Sequence, residues 1–292
     1  MSEQVVIVGP GRMGLALGAA LRQAAAVDRL IFVGRALEPP PHPIFDSTDD
    51  DVTVEYRLGP APAPADTTVL ILAVPDDALP EVVYDVAMTG PAPPGCAALH
   101  LSGAVSTDVL TPLHAAGYAI GSMHPLQSVA DPWLSGERLF GATFSVSGEP
   151  AAIAAARRLA SELGGETIVV PHALRAHYHA GAVFASNYVV ALIAAAVRLF
   201  DAAGIEEEDA IRALLPLVRG TLDNIEHIGL RAALTGPIAR GDIDTIRLHL
   251  TRLSEEDRAL YSALGLEALR LARAAGLDER RADEVEHLLT AG

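Results

Sequence analysis

The segment Val5-Val6-Ile7-Val8-Gly9-Pro10-Gly11-Arg12-Met13-Gly14 sets an apolar β-branched run directly before the spacing G-x-G-x-x-G. Such a run reads as a strand buried on both faces. Each glycine then has a separate task. Gly9 permits a tight turn, Gly11 opens the backbone to a pyrophosphate, and Gly14 allows a helix to pack closely on the strand. The helix start offers unpaired N–H groups and a favourable dipole to an anion. The motif follows a strand, opens a helix and heads a βαβ unit. It therefore predicts a dinucleotide cradle of Gly9, Gly11, Arg12, Met13 and Gly14.

Period-two and continuous apolar runs predict further strands at 30–33, 52–56, 69–74, 97–101, 119–123, 142–146 and 167–170. Between them, 15–26, 77–87, 107–116 and 150–163 have helical spacing. This alternation predicts an α/β Rossmann domain over residues 1–170, with a doubly wound, mostly parallel sheet. The proline-rich stretches 38–43 and 60–64 read as surface loops, because strand signals resume at once. Beyond Pro171 the strand signals stop. Segments 173–203, 206–234, 242–253, 255–275 and 278–289 all have helical periodicity. Pro216 is expected to kink the second of these, and Gly204 and Gly276 fall where helices end. An all-α domain over residues 171–292 is expected, serving substrate binding and dimerisation.

The second strand ends Val33-Gly34-Arg35, with no acid to hold an NAD ribose. Arg35 is placed instead to meet a 2′-phosphate, so the cofactor read here is NADP. Val74 and Pro75 close the next strand at the sheet edge where ligands bind. Asp76 suits a helix N-cap or a ligand contact equally well. Ser102, after the fifth strand, is a candidate donor near the nicotinamide, and His124, before Pro125, is a candidate for the same cleft.

The chain holds 37 acidic against 21 basic residues, a net charge of −16. Nucleic acid and anionic membranes are poor partners for it. Every basic residue apart from histidine is Arg, which excludes a lysine base or Schiff base. The single cysteine, Cys96, excludes a disulfide framework and a multi-cysteine metal site. The N-terminus lacks the basic region of a signal peptide, and the apolar stretch 180–197 carries Ser186 and Asn187 in its middle. A cytoplasmic protein with no membrane partner is expected.

His179, Val183 and Asn187 are spaced i, i+4, i+8 and share a helix face, with Ser186 beside them. Polar groups on an Ala/Val/Phe helix are costly to bury without partners, and a cleft provides them. His179 is the candidate proton donor, with Asn187 and Ser186 orienting a substrate carbonyl. The turn Thr235-Gly236-Pro237-Ile238-Ala239-Arg240-Gly241-Asp242 combines a hydroxyl, accessible amides and a guanidinium. It is either a carboxylate site built on Thr235 and Arg240, or a plain connector with Asp242 capping the next helix.

Taken in order, the glycine motif, Ala73-Val74-Pro75-Asp76, His100-Leu101-Ser102-Gly103, His124-Pro125-Leu126-Gln127, 178–187 and 234–242 resemble one bacterial group. Its members fuse a Rossmann-like domain to a helical domain long catalogued as of unknown function, and they include the PanG type of ketopantoate reductase. The architecture is similar to that of 6-phosphogluconate dehydrogenases, pyrroline-carboxylate reductases and prephenate dehydrogenases. The wider superfamily often sets Lys and Asn on the first helix of the second domain; this chain has Asn187 but no Lys. The resemblance implies an NADPH-dependent reductase of a small 2-oxo acid, with ketopantoate as the best match. The alternatives are a prephenate-type dehydrogenase, a deazaflavin-dependent NADP oxidoreductase, or a non-catalytic NADP-sensing module. The expected partners are a carboxylate-bearing small molecule and, since the helical domain carries more apolar face than a small bundle hides, a second copy in a homodimer.

Overall fold

Alternate residues of the strands divide between two apolar layers, as a sheet covered on both faces requires. Val5, Ile7, Leu30, Phe32, Val69, Ile71 and Leu99 enter one layer. Val6, Ile31, Val33, Leu70, Leu72 and Ala98 enter the other. In this computed structural model, which describes residues 3–46 and 52–291, the strands are β1 (Gln4–Val8), β2 (Arg29–Gly34), β3 (Thr53–Leu58), β4 (Thr67–Leu72), β5 (Ala97–His100), β6 (Ala119–Pro125), β7 (Thr143–Gly148) and β8 (Glu166–Val169). They form one eight-stranded sheet of order β3-β2-β1-β4-β5-β6-β7-β8. All pairings are parallel except β6 with β7. Every strand expected from the sequence is present. The order reverses between β1 and β4, the switch point at which such sheets bind ligands.

Helices α1 (Arg12–Gln23), α2 (Leu79–Ala87), α3 (Thr111–Ala115), α4 (Pro132–Ser135) and α5 (Pro150–Glu162) connect the strands. Leu15, Leu17 and Leu21 of α1 join the first layer with Ala156 and Leu159 of α5. Leu79, Val83 and Val86 of α2 join the second with Leu113 of α3. Each fully buried Leu, Ile, Val or Phe contributes roughly 1.5–3 kcal/mol, so these layers dominate the stability of the sheet. The expected helix at 107–116 is divided into a 3-10 turn, Thr107–Leu110, and the short α3.

The remaining helices are α6 (Arg175–Ala185), α7 (Asn187–Ala202), α8 (Glu207–Ala233), α9 (Pro237–Arg240), α10 (Ile243–Arg252), α11 (Glu255–Ala274) and α12 (Glu279–Thr290). Two compact units divide the chain, Met1–Asn187 and Tyr188–Gly292. The second has a small core of Ile246, Leu269, Ala282, Val285 and Leu289.

Two helical expectations need correction. The run 173–203 is not continuous: Ser186, at φ −124° and ψ −73°, separates α6 from α7. The stretch His172–Ala202 has the length and composition to cross a membrane, but its helical path is broken there. The second correction concerns Pro216, which stays inside α8, while the non-helical residue is Gly229 at φ 77° and ψ 165°. Proline removes one helical hydrogen bond, whereas glycine alone takes that backbone conformation without strain. Gly204 and Gly276 do end helices at positive φ. The N–H groups of Ile205 and Leu277, one residue further, reach back to the carbonyls of Phe200 and Ala272.

Candidate active site

At the β1–α1 turn, Gly9 has φ 101° and donates its N–H to the Val33 carbonyl at 2.9 Å. A Cβ on Gly9 would lie 2.5 Å from the Ala73 carbonyl oxygen, and one on Gly14 would lie 2.2 Å from the Gly9 carbonyl oxygen. Neither position accepts a side chain. A Cβ on Gly11, by contrast, meets nothing within 4 Å, so the space before it is open. Gly11 caps α1 without a side-chain hydrogen bond, and no acid occupies the first turn. Unblocked amides facing open space are what a pyrophosphate needs. Met13 turns its side chain to the core, leaving only its backbone for the cradle.

Arg12 and Arg35 are exposed, and among the described residues neither has an ion-pair partner. The turn that carries Arg35 is pinned by Tyr56, whose hydroxyl donates to the Ala36 carbonyl at 2.7 Å. Val74 packs on the second apolar layer, and Pro75 is exposed with its carbonyl bonded to the Ala78 N–H. Asp76 is not a helix cap: α2 is capped by Ala78 without a side-chain bond. Its charge acts instead on His124 and Arg175.

A second cluster gathers where β5, β6, β7 and α6 meet. Arg175 is only 2% exposed. Its Nη1 donates to Ser122 Oγ at 2.7 Å and Ser147 Oγ at 2.8 Å, and its Nη2 donates to the Ser102 carbonyl at 2.6 Å. All three partners are neutral, and among the described residues Nε has none. Burial depresses the Arg175 pKa, opposed by Tyr178 and Asp76. His100 is fully buried, with Nδ1 accepting the Ser102 N–H at 3.2 Å. Burial, then Arg175 and His124, push His100 down to about 3. His124 Nδ1 lies 3.0 Å from the Tyr178 hydroxyl. Burial, then His179 and Arg175, push His124 down to about 4 against the pull of Asp76. Ser102 Oγ accepts the N–H groups of Ala104 and Val105, which leaves its own proton as the only donor it can offer. Burial pushes the Cys96 thiol up to about 12, so it is no nucleophile.

His124, Tyr178, His179, Val183, Ser186 and Asn187 line one cleft of about 690 Å³. The cleft brings together His124, His179, Ser186 and Asn187 from the sequence reading. The break at Ser186 changes how this happens: Asn187 opens α7 instead of continuing the His179 face of α6. Helical spacing on its own did not single out Arg175 and Tyr178. Arg175 lies four positions before His179 and shares its face, so extending that face backward would have found it; Tyr178, one position before, stands on the neighbouring face, three positions after Arg175.

Thr235 and Arg240 are not brought together. Thr235 lines one cleft with Leu217 and Leu230. Arg240 lines another with Asp242, Asp244, Asp278 and Glu284, as well as Arg280 and Arg281. Four carboxylates beside three guanidiniums give that second cleft no net positive charge with which to hold a carboxylate. Arg240 lies 4.0 Å from Asp242, and Asp242 caps α10 through the Thr245 N–H.

Two depressed histidines make folding pH-dependent. The unfolded chain takes up protons near pH ~6.5 that His100 and His124 refuse when folded. Their contribution is therefore complete above pH ~6.5 and is lost as pH falls toward 4, at about 1.4 kcal/mol per pH unit for each histidine. Urea unfolding at pH 7 and pH 5 should show the wild type losing more stability than His124→Gln over this interval. Equal losses would mean that His124 titrates normally.

Residues 2–125 match the family model of a Rossmann-like domain, and residues 142–268 match a domain of unknown function, DUF2520. No curated protein matches the chain. Among solved structures, the protein TM1727 of Thermotoga maritima is 20% identical with a TM-score of 0.69, covering 92% of this chain and 99% of its own. The pyrroline carboxylate reductase of Plasmodium falciparum, with NADP bound, is 11% identical with a TM-score of 0.61, covering 98% of each chain. The reductive aminase of Aspergillus terreus, in complex with NADPH and ethyl-5-oxohexanoate, is 17% identical with a TM-score of 0.58, covering 100% of this chain and 93% of its own. These likenesses establish the fold. The chain therefore joins a Rossmann-like domain, matched over residues 2–125, to a DUF2520 domain, matched over residues 142–268.

Proposed function

We propose that this protein is an NADPH-dependent reductase of a small 2-oxo acid, with ketopantoate as the specific substrate. The observation that carries the reading is the cradle at the switch point: uncapped amides of α1, open space at Gly11, and Arg35 at the end of β2 where an NAD site would have an acid. NADP or NADPH in the reductases of like fold supports the same cofactor. When bound, NADPH supplies the hydride.

The chain's own groups do the rest. Gly9, Gly11 and Gly14, with the backbone of Arg12 and Met13, hold the pyrophosphate, while Val74, Pro75 and Ser102 border the cofactor at the same sheet edge. His179 gives a proton to the carbonyl oxygen, and Ser186 and Asn187 orient the carbonyl in the cleft. His124, whose pKa is pushed down to about 4, is not a cation at neutral pH and is not the acid. The charge balance around Arg240 supports reading the 235–242 turn as a connector. A homodimer is part of the reading, because Val190, Leu217, Leu222, Ile228, Leu230 and Leu248 all stay exposed beside a small core.

The test is NADPH oxidation, followed by absorbance, with a panel of 2-oxo acids including ketopantoate. Ketopantoate should be turned over fastest of the panel. Tight NADPH binding without turnover of any panel member would favour the NADP-sensing alternative.

A further inference from the structure

His124, Tyr178 and His179 line the cleft, with the buried His100 and Arg175 acting on His124 from beside it, and the reductase reading uses only His179 as an acid. His124 is held from two sides. Its Nδ1 is 3.0 Å from the Tyr178 hydroxyl, with the two rings edge to face at 89°. A phenol O–H is the more acidic donor of the two, so Tyr178 donates and Nδ1 accepts. The bond made by one imidazole nitrogen decides the state of the other, which leaves the proton of the neutral ring on Nε2. That nitrogen lies 2.9 Å, and His179 Nδ1 2.7 Å, from where a Cβ on Gly103 would sit, so glycine at 103 leaves a space that both imidazoles face. Arg175 stands three residues before Tyr178 on the same face of α6 and is anchored to Ser122 Oγ on β6, Ser147 Oγ on β7 and the Ser102 carbonyl after β5.

We propose that Tyr178 and Arg175 are positioning residues that hold His124 as a neutral imidazole with its proton on Nε2, presenting an uncharged hydrogen-bond donor to the cleft. The charged and titratable groups that face His124 are Arg175, His179, His100 and Tyr178, with Asp76 opposing. A guanidinium with only neutral hydrogen-bond partners disfavours a second cation beside it. The cleft therefore carries two histidines with different tasks. His179 takes and gives a proton; His124 donates a hydrogen bond to the substrate's carbonyl oxygen and keeps its proton. The catalytic use of His124 rests on the reductase reading, but its protonation state does not.

The experiment is a long-range 1H–15N correlation of histidine-labelled protein, with His124 assigned by the signals lost in His124→Gln. In the wild type, Nδ1 should have the shift of an unprotonated acceptor and Nε2 that of a protonated nitrogen, unchanged from pH 8 to about pH 5. In Tyr178→Phe the two shifts should move toward each other as the tautomers mix, and turnover should fall about three- to tenfold, the value of one hydrogen bond. Arg175→Met should raise the titration midpoint of His124, and Arg175→Lys should restore it. An imidazolium signature in the wild type at pH 6, or a spectrum unaltered in Tyr178→Phe, would overturn the proposal. The expected spectra in a protein that reduces no 2-oxo acid would leave this inference standing and remove the reductase reading alone.

Discussion

His179→Ala is expected to lower turnover by about 10²–10⁴-fold, the usual worth of a positioned acid, with NADPH affinity nearly unchanged. The asymmetry follows from where the groups lie. The cradle is built from β1, α1 and β2, while His179 stands on α6 and lines the cleft with Ser186 and Asn187. The chain has no lysine to take over the task, and His124, pushed down to about 4, is a neutral imidazole at neutral pH whose remaining N–H is too weak an acid to be given up. His124 therefore adds no limb of its own to the pH profile above pH ~5. Steady-state kinetics of His179→Ala, beside a fluorescence titration with NADPH, check both the loss of turnover and the unchanged affinity. Wild-type turnover in the variant would contradict the assignment.

Arg35→Ala should weaken NADPH binding roughly tenfold to a hundredfold and leave NADH binding nearly alone, because a charge-assisted contact to the 2′-phosphate is lost. Arg35 is exposed and without an ion-pair partner among the described residues, so its removal should cost little in stability. In a chain of net charge −16, a guanidinium at the adenosine end offsets a repulsive field for a polyanionic cofactor. The contrast between the two cofactors, measured by fluorescence titration, separates a specific contact from a general loss of fold. If the preference is unaltered, Arg12, exposed at the start of α1, is the next residue to vary.

The fold was legible because its main signals are local. Continuous or alternating apolar runs mark the strands, and their alternation with helices marks the parallel sheet. The antiparallel entry of β7 was not legible, since strand direction depends on the connection between elements and not on composition. The break at Ser186 was hidden because the apolar pattern of α6 and α7 runs through it unaltered. Pro216 was a misleading signal: a long helix tolerates one missing hydrogen bond, while Gly229 ends the helical path through a conformation that no pattern reveals. Within the cleft, His124, His179, Ser186 and Asn187 were legible as polar residues on apolar elements. Arg175 was not, because a buried arginine held by serines from three distant segments has no signature in spacing. Thr235 and Arg240 show the opposite limit: five positions apart on one turn, they line different clefts.

The most direct measurement of the central claim is label transfer. The protein is incubated with ketopantoate and NADPH carrying deuterium at the transferable C4 position, and the product is examined by mass spectrometry. The account predicts pantoate with one deuterium at C2, formed at a much lower rate by His179→Ala. Unlabelled ketopantoate recovered quantitatively, from a protein that binds NADPH tightly, would contradict it.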